Sequence, residues 1–210
     1  MTAPLSRVAL LLLTAGLALV SRAEEASAPE APPASLALCI TCHGVQGRGN
    51  PRVNAPRIAG MEAWYVRRQL QAFRHGWRGT HDDDPVGWEM QAMVRSLTPA
   101  DVSAAAAWIA GLDAPRPEAA VQGDAVRGRS LYAPCAACHG PDARGDAELG
   151  APALAGQSDW YLVRQLENFR AGRRGYHADD EPGRRMAASV GDLRDERAIR
   201  DVVAYIASLD

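Results

Sequence analysis

The sequence predicts an all-α protein built as two tandem copies of one small domain. Three observations predict it. Cys135 follows Cys39 by 96 residues, and at that offset the stretch from Cys39 to Leu97 realigns on Cys135 to Leu193, with roughly half of the positions identical and no gap. Apolar residues inside each copy recur at helical spacing. Runs of β-branched and aromatic residues in alternation, the mark of strands, are scarce. The period is far longer than the unit of a stacked repeat array, so each copy is expected to close its own core. The 210 residues suit two domains of about 100 residues each.

The chain opens like an export signal. Arg7 gives a positive start, Val8 to Val20 is an apolar core, and Ser21 and Ala23 place small residues before a cut after Ala23. The apolar run is short for a membrane span, with an uncleaved anchor as the alternative. Residues 1–23 are thus expected to be a signal peptide and 24–35, "EEASAPEAPPAS", a flexible lead-in rich in Pro and Ala. The first domain is expected over 36–113, a linker over 114–123 and the second domain over 124–210. The join falls in "GLDAPRPEAAVQGD", where Pro and Ala interrupt any periodic pattern.

Within the copies, Ser35 is placed to cap a short helix ending at Gly44. Glu62 to Arg74 has apolar positions Trp64, Val66, Leu70 and Phe73 and is followed by Gly76. Its partner begins after Ser158, a candidate N-cap, and stops at Gly172. Thr98-Pro99-Ala100-Asp101 is a helix start: a cap, a first-turn Pro and an acid three residues after the cap. That helix should reach about Leu112, and its counterpart should run from about Asp195 to Leu209.

All four cysteines lie in two motifs, "LCITCHG" and "PCAACHG": Cys39, Cys42 and His43, then Cys135, Cys138 and His139. On a short helix, thiols three residues apart can bond the two vinyl groups of one haem, and the next imidazole can ligate its iron. A redox dithiol needs a βαβ context that is missing here. A shared zinc site would join pairs that lie very far apart, each already with its own His. Two motifs in a chain that opens with an export signal therefore point to two covalently bound haem c groups.

A second axial ligand should recur in both copies. Met61, Met90 and Met93, with His75 and His81, are available in the first; Met186 and His177 in the second. Only Met90/Met186 and His81/His177 are matched pairs. The His pair sits in polar loop text, "GTHDDDP" and "GYHADDEP", so the Met pair is the expected ligand set. Met93 aligns with Ser189 and is expected to pack near the first haem. A neutral thioether favours Fe(II), raises the potential and closes the iron to oxygen and peroxide.

With those residues in view, the chain resembles the di-haem class I cytochromes c of the cytochrome c4 type from about Leu36 to Leu209. The elements that carry it are "CITCHG…APRIAG…WYVRRQL…EMQAM" and "CAACHG…APALAG…WYLVRQL…RRMAASVGDL". The resemblance implies two facing class I domains, with Met90 and Met186 as distal ligands. It implies that the carbonyls of Pro56 and Pro152 accept hydrogen bonds from the proximal imidazoles. It also implies haem propionates near the domain interface. The implied role is carrying electrons, one per haem, between periplasmic redox proteins such as a bc1 complex and a terminal oxidase. Membrane contact would then be peripheral, through those complexes.

Composition excludes some classes. The net charge of −2 gives no basic excess for nucleic acid. The absence of lysine reads as genome composition. No nucleophile–base constellation argues for an enzyme. The alternatives to a free carrier are an electron-transfer subunit of a larger dehydrogenase or reductase, or a gas sensor or enzyme with an open haem site. The loops "RHGWRGTHDDDP" and "RAGRRGYHADDEP" are expected to be solvated or to form a docking surface, with a metal site at His81 and Asp82 to Asp84 as a weaker reading. The second copy carries "GDAVRGRSLYAP" ahead of its motif while the first has little there, so the first haem edge should be more exposed.

Overall fold

The computed structural model describes residues 32–33 and 36–209. The expected signal peptide, most of the lead-in and the Ser35 cap lie outside the described residues. Helices α1 (Ala37–His43), α2 (Ala63–Arg74), α3 (Pro85–Val94) and α4 (Pro99–Gly111) form the first half. Helices α5 (Ala125–Tyr132), α6 (Ala136–His139), α7 (Asp159–Arg170), α8 (Glu181–Ser189) and α9 (Glu196–Ala207) form the second. The described residues contain no strand; two isolated bridges, Asn50 to Ala55 and Asp146 to Ala151, occupy matching positions. The all-α prediction therefore holds.

Each half buries its own core, which is what makes it a domain. The first packs Val66, Leu70 and Phe73 of α2 against Val102, Ala105 and Ile109 of α4. The second packs Leu162 and Val163 of α7 against Ile199, Val202, Val203 and Ile206 of α9. Burying one such side chain contributes about 1.5–3 kcal/mol, which exceeds the modest propensity cost of β-branched residues in α9. Helix α5 lies so close on α9 that a Cβ at Gly128 would sit 1.9 Å from the Asp201 carbonyl oxygen, so that contact requires glycine. Among the described residues, α5 has no counterpart in the first domain.

The helix starts follow from capping. Thr98 Oγ1 accepts from the Asp101 amide at 3.2 Å and Asp101 Oδ2 accepts from the Thr98 amide at 2.9 Å, a complete capping box on α4. Asp195 caps α9 by accepting from Ala198. Ser158 flanks α7 but does not cap it. Its Oγ accepts from the Arg57 amide of the other domain at 3.4 Å, so the expected local bond is replaced by one between domains.

Helices α3 and α8 begin inside text read as loop. Asp84 and Asp180 cap them through the amides of Gly87 and Gly183, and both carboxylates are buried. Residues 75–84 and 171–180 are loops, as read, with Thr80, Asp82, Asp83, Tyr176 and Asp179 exposed, but Arg78 and Arg174 within them are buried and reach the other domain. Among the described residues no group of three His, Cys, Asp or Glu side chains could hold a metal ion, which removes the site at His81. His81 Nδ1 instead accepts from the Asp83 amide.

Residues 112–124 have no regular secondary structure and run along both domains. Arg57 donates to the carbonyl of Ala114, and the amides of Ala120 and Val121 donate to Asp159 Oδ2.

Two candidate haem sites facing one interface

Helix α1 puts Cys39 and Cys42 on one face, one turn apart, with His43 at its last position. Helix α6 does the same more tightly: Cys135 is its N-cap, Cys138 lies within it and His139 ends it. No disulfide joins the four cysteines; Cys42 and Cys138 are exposed, Cys39 and Cys135 half-buried. Burial pushes the Cys39 and Cys135 thiols up.

Each histidine is buried, and its Nδ1 lies 2.8 Å from a carbonyl oxygen, that of Pro56 for His43 and of Pro152 for His139. A carbonyl only accepts, so Nδ1 carries the proton and Nε2 keeps its lone pair. Burial pushes both imidazoles below their ordinary value, against the opposite pull of the carbonyl bond. Each ring is thus neutral, held in one tautomer and one orientation, as an iron ligand requires.

The loop that brings the carbonyl there depends on glycine. Gly49 has φ +84° and donates to the His43 carbonyl at 2.9 Å. A Cβ on it would stand 2.6 Å from the Arg57 amide nitrogen. Gly145 repeats this with φ +80° and a 2.5 Å approach to the Pro152 carbonyl carbon.

Cys39, Cys42, His43 and Met90 line one cavity. Met61 and Met93 line it too, but each is placed differently. Met61 Sδ meets Gln157 Nε2 of the other domain at 3.9 Å, and Met93 is 42% exposed at the rim. Met93 is therefore at the mouth rather than packed inside. Met90 is partly buried against the core that also receives Cys39. In the second domain Met186 sits on α8, partly buried.

The domains meet through reciprocal pairs. Arg78 donates to Gln69 Oε1 (2.7 Å) in its own domain, and to Tyr161 Oη (3.0 Å) and Gln165 Oε1 (2.9 Å) across the interface. Arg174 donates to Gln165 Oε1 (2.7 Å), and across to Tyr65 Oη (3.1 Å) and Gln69 Oε1 (3.0 Å). The guanidinium groups lie 4.5 Å above the rings of Phe73 and Phe169. Glu62 Oε1 accepts from the Ala153 amide just as Ser158 Oγ accepts from Arg57. Each pair maps on its counterpart at the 96-residue offset. Burial pushes the Tyr161 phenol up, but Arg78 and Arg174 outweigh it and hold it below its ordinary value.

The resemblance implied that the two domains face each other, but not which side chains join them. The available signal was a matched arginine, Arg78 and Arg174, inside loops whose neighbours Trp77 and Arg173 differ.

The donor set fits a covalently held haem in each domain: paired thiols on a helix, a neutral backed imidazole beside them, and in the first domain an apolar cavity in front. Two such sites define a di-haem c-type protein. A family model of cytochrome c matches residues 34–113 and 125–210. The thiosulfate dehydrogenase electron acceptor of Stutzerimonas stutzeri (strain A1501) is 34% identical, over 98% of this chain and 94% of that protein. Cytochrome c4 of Pseudomonas aeruginosa is 31% identical, over 95% and 96%. The crystal structure of reduced recombinant cytochrome c4 from Pseudomonas stutzeri superposes with a TM-score of 0.64 at 28% identity, covering 83% of this chain and 95% of that one. The chain belongs to the cytochrome c family. It is a two-domain, electron-carrying c-type cytochrome with two covalently bound haem c groups.

Proposed function

We propose that the chain works in the periplasm as a carrier that is not itself an enzyme, with 36–113 and 124–210 as its two redox units. Cys39 and Cys42, and Cys135 and Cys138, would hold the haems by thioether bonds. His43 and His139 would be proximal ligands, Met90 and Met186 distal ones. Bound in this way, each haem supplies one-electron chemistry at its iron. The residues of the chain fix the imidazole tautomer through Pro56 and Pro152, fill the distal side with a neutral sulfur, and keep water from it. The observation that carries this reading is the repeated His–Pro bond, twice at 2.8 Å, in two domains that face each other. Among the described residues no helix is long and apolar enough to cross a membrane, in keeping with peripheral contact with membrane-bound redox complexes.

A second reading concerns the partner. The similarity to a thiosulfate dehydrogenase electron acceptor, over nearly the whole of both chains, favours a sulfur-compound dehydrogenase as electron donor. The carrier reading is tested by spectrally monitored redox titration of the holoprotein with carbon monoxide added after reduction. Two high-potential one-electron steps and no spectral change with the gas support it. A haem that binds the gas overturns it. The donor is tested by mixing the oxidised protein with a purified thiosulfate dehydrogenase and thiosulfate. Reduction within the enzyme's turnover time supports that partner, and none discards it.

A further inference from the structure

Arg68 of α2 and Arg164 of α7 are counterparts at the 96-residue offset, and each reaches into the other domain. They end on different partners. Arg164 donates to Asn54 Oδ1 of the first domain at 2.8 Å, and its guanidinium lies 4.8 Å from the Trp160 ring centroid. The position that matches Asn54 is Gly150, which offers no side-chain oxygen. Glycine leaves room there instead, since a Cβ would stand 3.3 Å from Arg68 Nη1. Arg68 Nη2 goes on to face Asp180 Oδ1 of the second domain at 3.8 Å. Burial pushes the Arg68 guanidinium down, and Asp180 is the largest pull the other way. Among the described residues Arg164 forms no such ion pair with Asp84, the counterpart of Asp180, which acts on it only at longer range.

Asp180 is the N-cap of α8, the helix that carries Met186. It is 8% exposed, and its Oδ1 accepts from the Gly183 amide at 3.1 Å. The start of the helix is closely seated on the loop before it. A Cβ on Gly175 would stand 2.3 Å from the Gly183 carbonyl oxygen and 3.0 Å from Ala187 Cβ. The same carboxylate acts on two cations, Arg68 of the first domain and Arg174 of its own. A buried carboxylate is stable only with opposite charge close by. We propose that Arg68 is a positioning residue for Met186: through Asp180, the first domain holds the distal-ligand helix of the second. The reverse hold is weaker, because Asn54 and Trp160 engage Arg164 away from Asp84. The two irons are therefore not equivalent, and the firmness of distal ligation at the second depends on the first domain. The proposal rests on Met186 as a distal ligand and goes beyond it in naming what keeps that methionine in place. A loosened methionine yields more readily to a competing ligand, and weaker thioether ligation lowers the potential.

The test is titration of the ferric holoprotein with imidazole, which competes with a methionine for the iron, alongside measurement of both reduction potentials. Arg68→Gln should raise imidazole affinity several-fold at one of the two haems and move one potential down. Arg68→Lys should restore both at least partway, and Arg164→Gln should have the smaller effect. Double variants assign the haem. Added to Met186→Ala, Arg68→Gln should change nothing further; added to Met90→Ala, it should still raise the affinity of the second haem. An effect that persists on top of Met186→Ala, an equal effect from Arg164→Gln, or none at all overturns the proposal. If Arg68→Gln fails to accumulate with two haems, Asp180→Asn removes the ion pair while its amide oxygen can still cap α8, and it should give the same selective rise. Failure of the ligand reading shows separately, because Met186→Ala alone would then leave imidazole binding unchanged.

Discussion

His43 donates from Nδ1 to the carbonyl of Pro56, thirteen positions further along the chain, at 2.8 Å. That bond decides which imidazole nitrogen faces the cavity. The loop closes over a glycine at a positive φ, and a methyl group there meets backbone rather than a movable side chain. Gly49→Ala should therefore cost about 1–3 kcal/mol in the first domain. Urea unfolding of the holoprotein should show the loss, and the potential of one haem should shift because its ligand is no longer held. An unchanged midpoint and potential would mean the loop tolerates the methyl group.

On the proposed ligand set, replacing Met90 or Met186 by Ala should open one iron and leave the other closed. Each single variant should bind carbon monoxide at half of its haem, and the double variant at all of it. Half of the haem should also move to lower potential. Gas binding that persists at zero in either single variant would assign the distal ligand elsewhere, with Met61 and Met93 the next sulfurs in the first cavity.

Burial holds His43 and His139 below the ordinary imidazole value of 6.5. The unfolded chain therefore binds more protons than the folded one as acid is added. The stabilising contribution is complete above about pH 6.5 and is lost as pH falls below it. Iron ligation pushes in the same direction, since only the neutral ring ligates. The urea midpoint of the holoprotein should fall between pH 7 and pH 5 in step with the haem absorbance that reports the histidine ligand. A midpoint that rises toward acid would reverse the sign and refute this account.

Ile199, at the end of the first turn of α9, is fully buried in the second domain's core with Leu162 and Val163 of α7. Ile199→Ala removes several methyl groups and leaves a cavity, at a cost of about 2–5 kcal/mol. The second domain should unfold at lower urea while the first keeps its midpoint, unless the reciprocal interface couples them. Coincident loss of both would measure that coupling.

Leu38, Val53 and Met93 are 61%, 46% and 42% exposed and line the mouth of the first cavity. They form an apolar rim at which a redox partner would be expected to dock. Leu38→Asp should slow electron transfer with a physiological partner several-fold and leave both potentials unchanged. An unaltered rate would place the docking face on the second domain.

Much of the fold could be read from the chain. The 96-residue repeat, the capping box at Thr98 and the apolar faces of α2, α4 and α9 are local patterns, and local hydrogen bonding and periodic burial enforce them wherever the chain goes. The thiols and the following histidine are also local, because attachment of one haem needs them within two turns of helix. The duplication reduced the distal candidates to matched pairs, since equivalent irons demand equivalent ligands. What only the tertiary structure decided are the contacts between copies. Ser158 has the sequence of a cap but its hydroxyl accepts from the Arg57 amide of the other domain, and Arg78 and Arg174 stand in polar loop text yet are both buried between the domains. A side chain's burial depends on which surface arrives from far along the chain, and no spacing within one copy encodes how the second copy will face it.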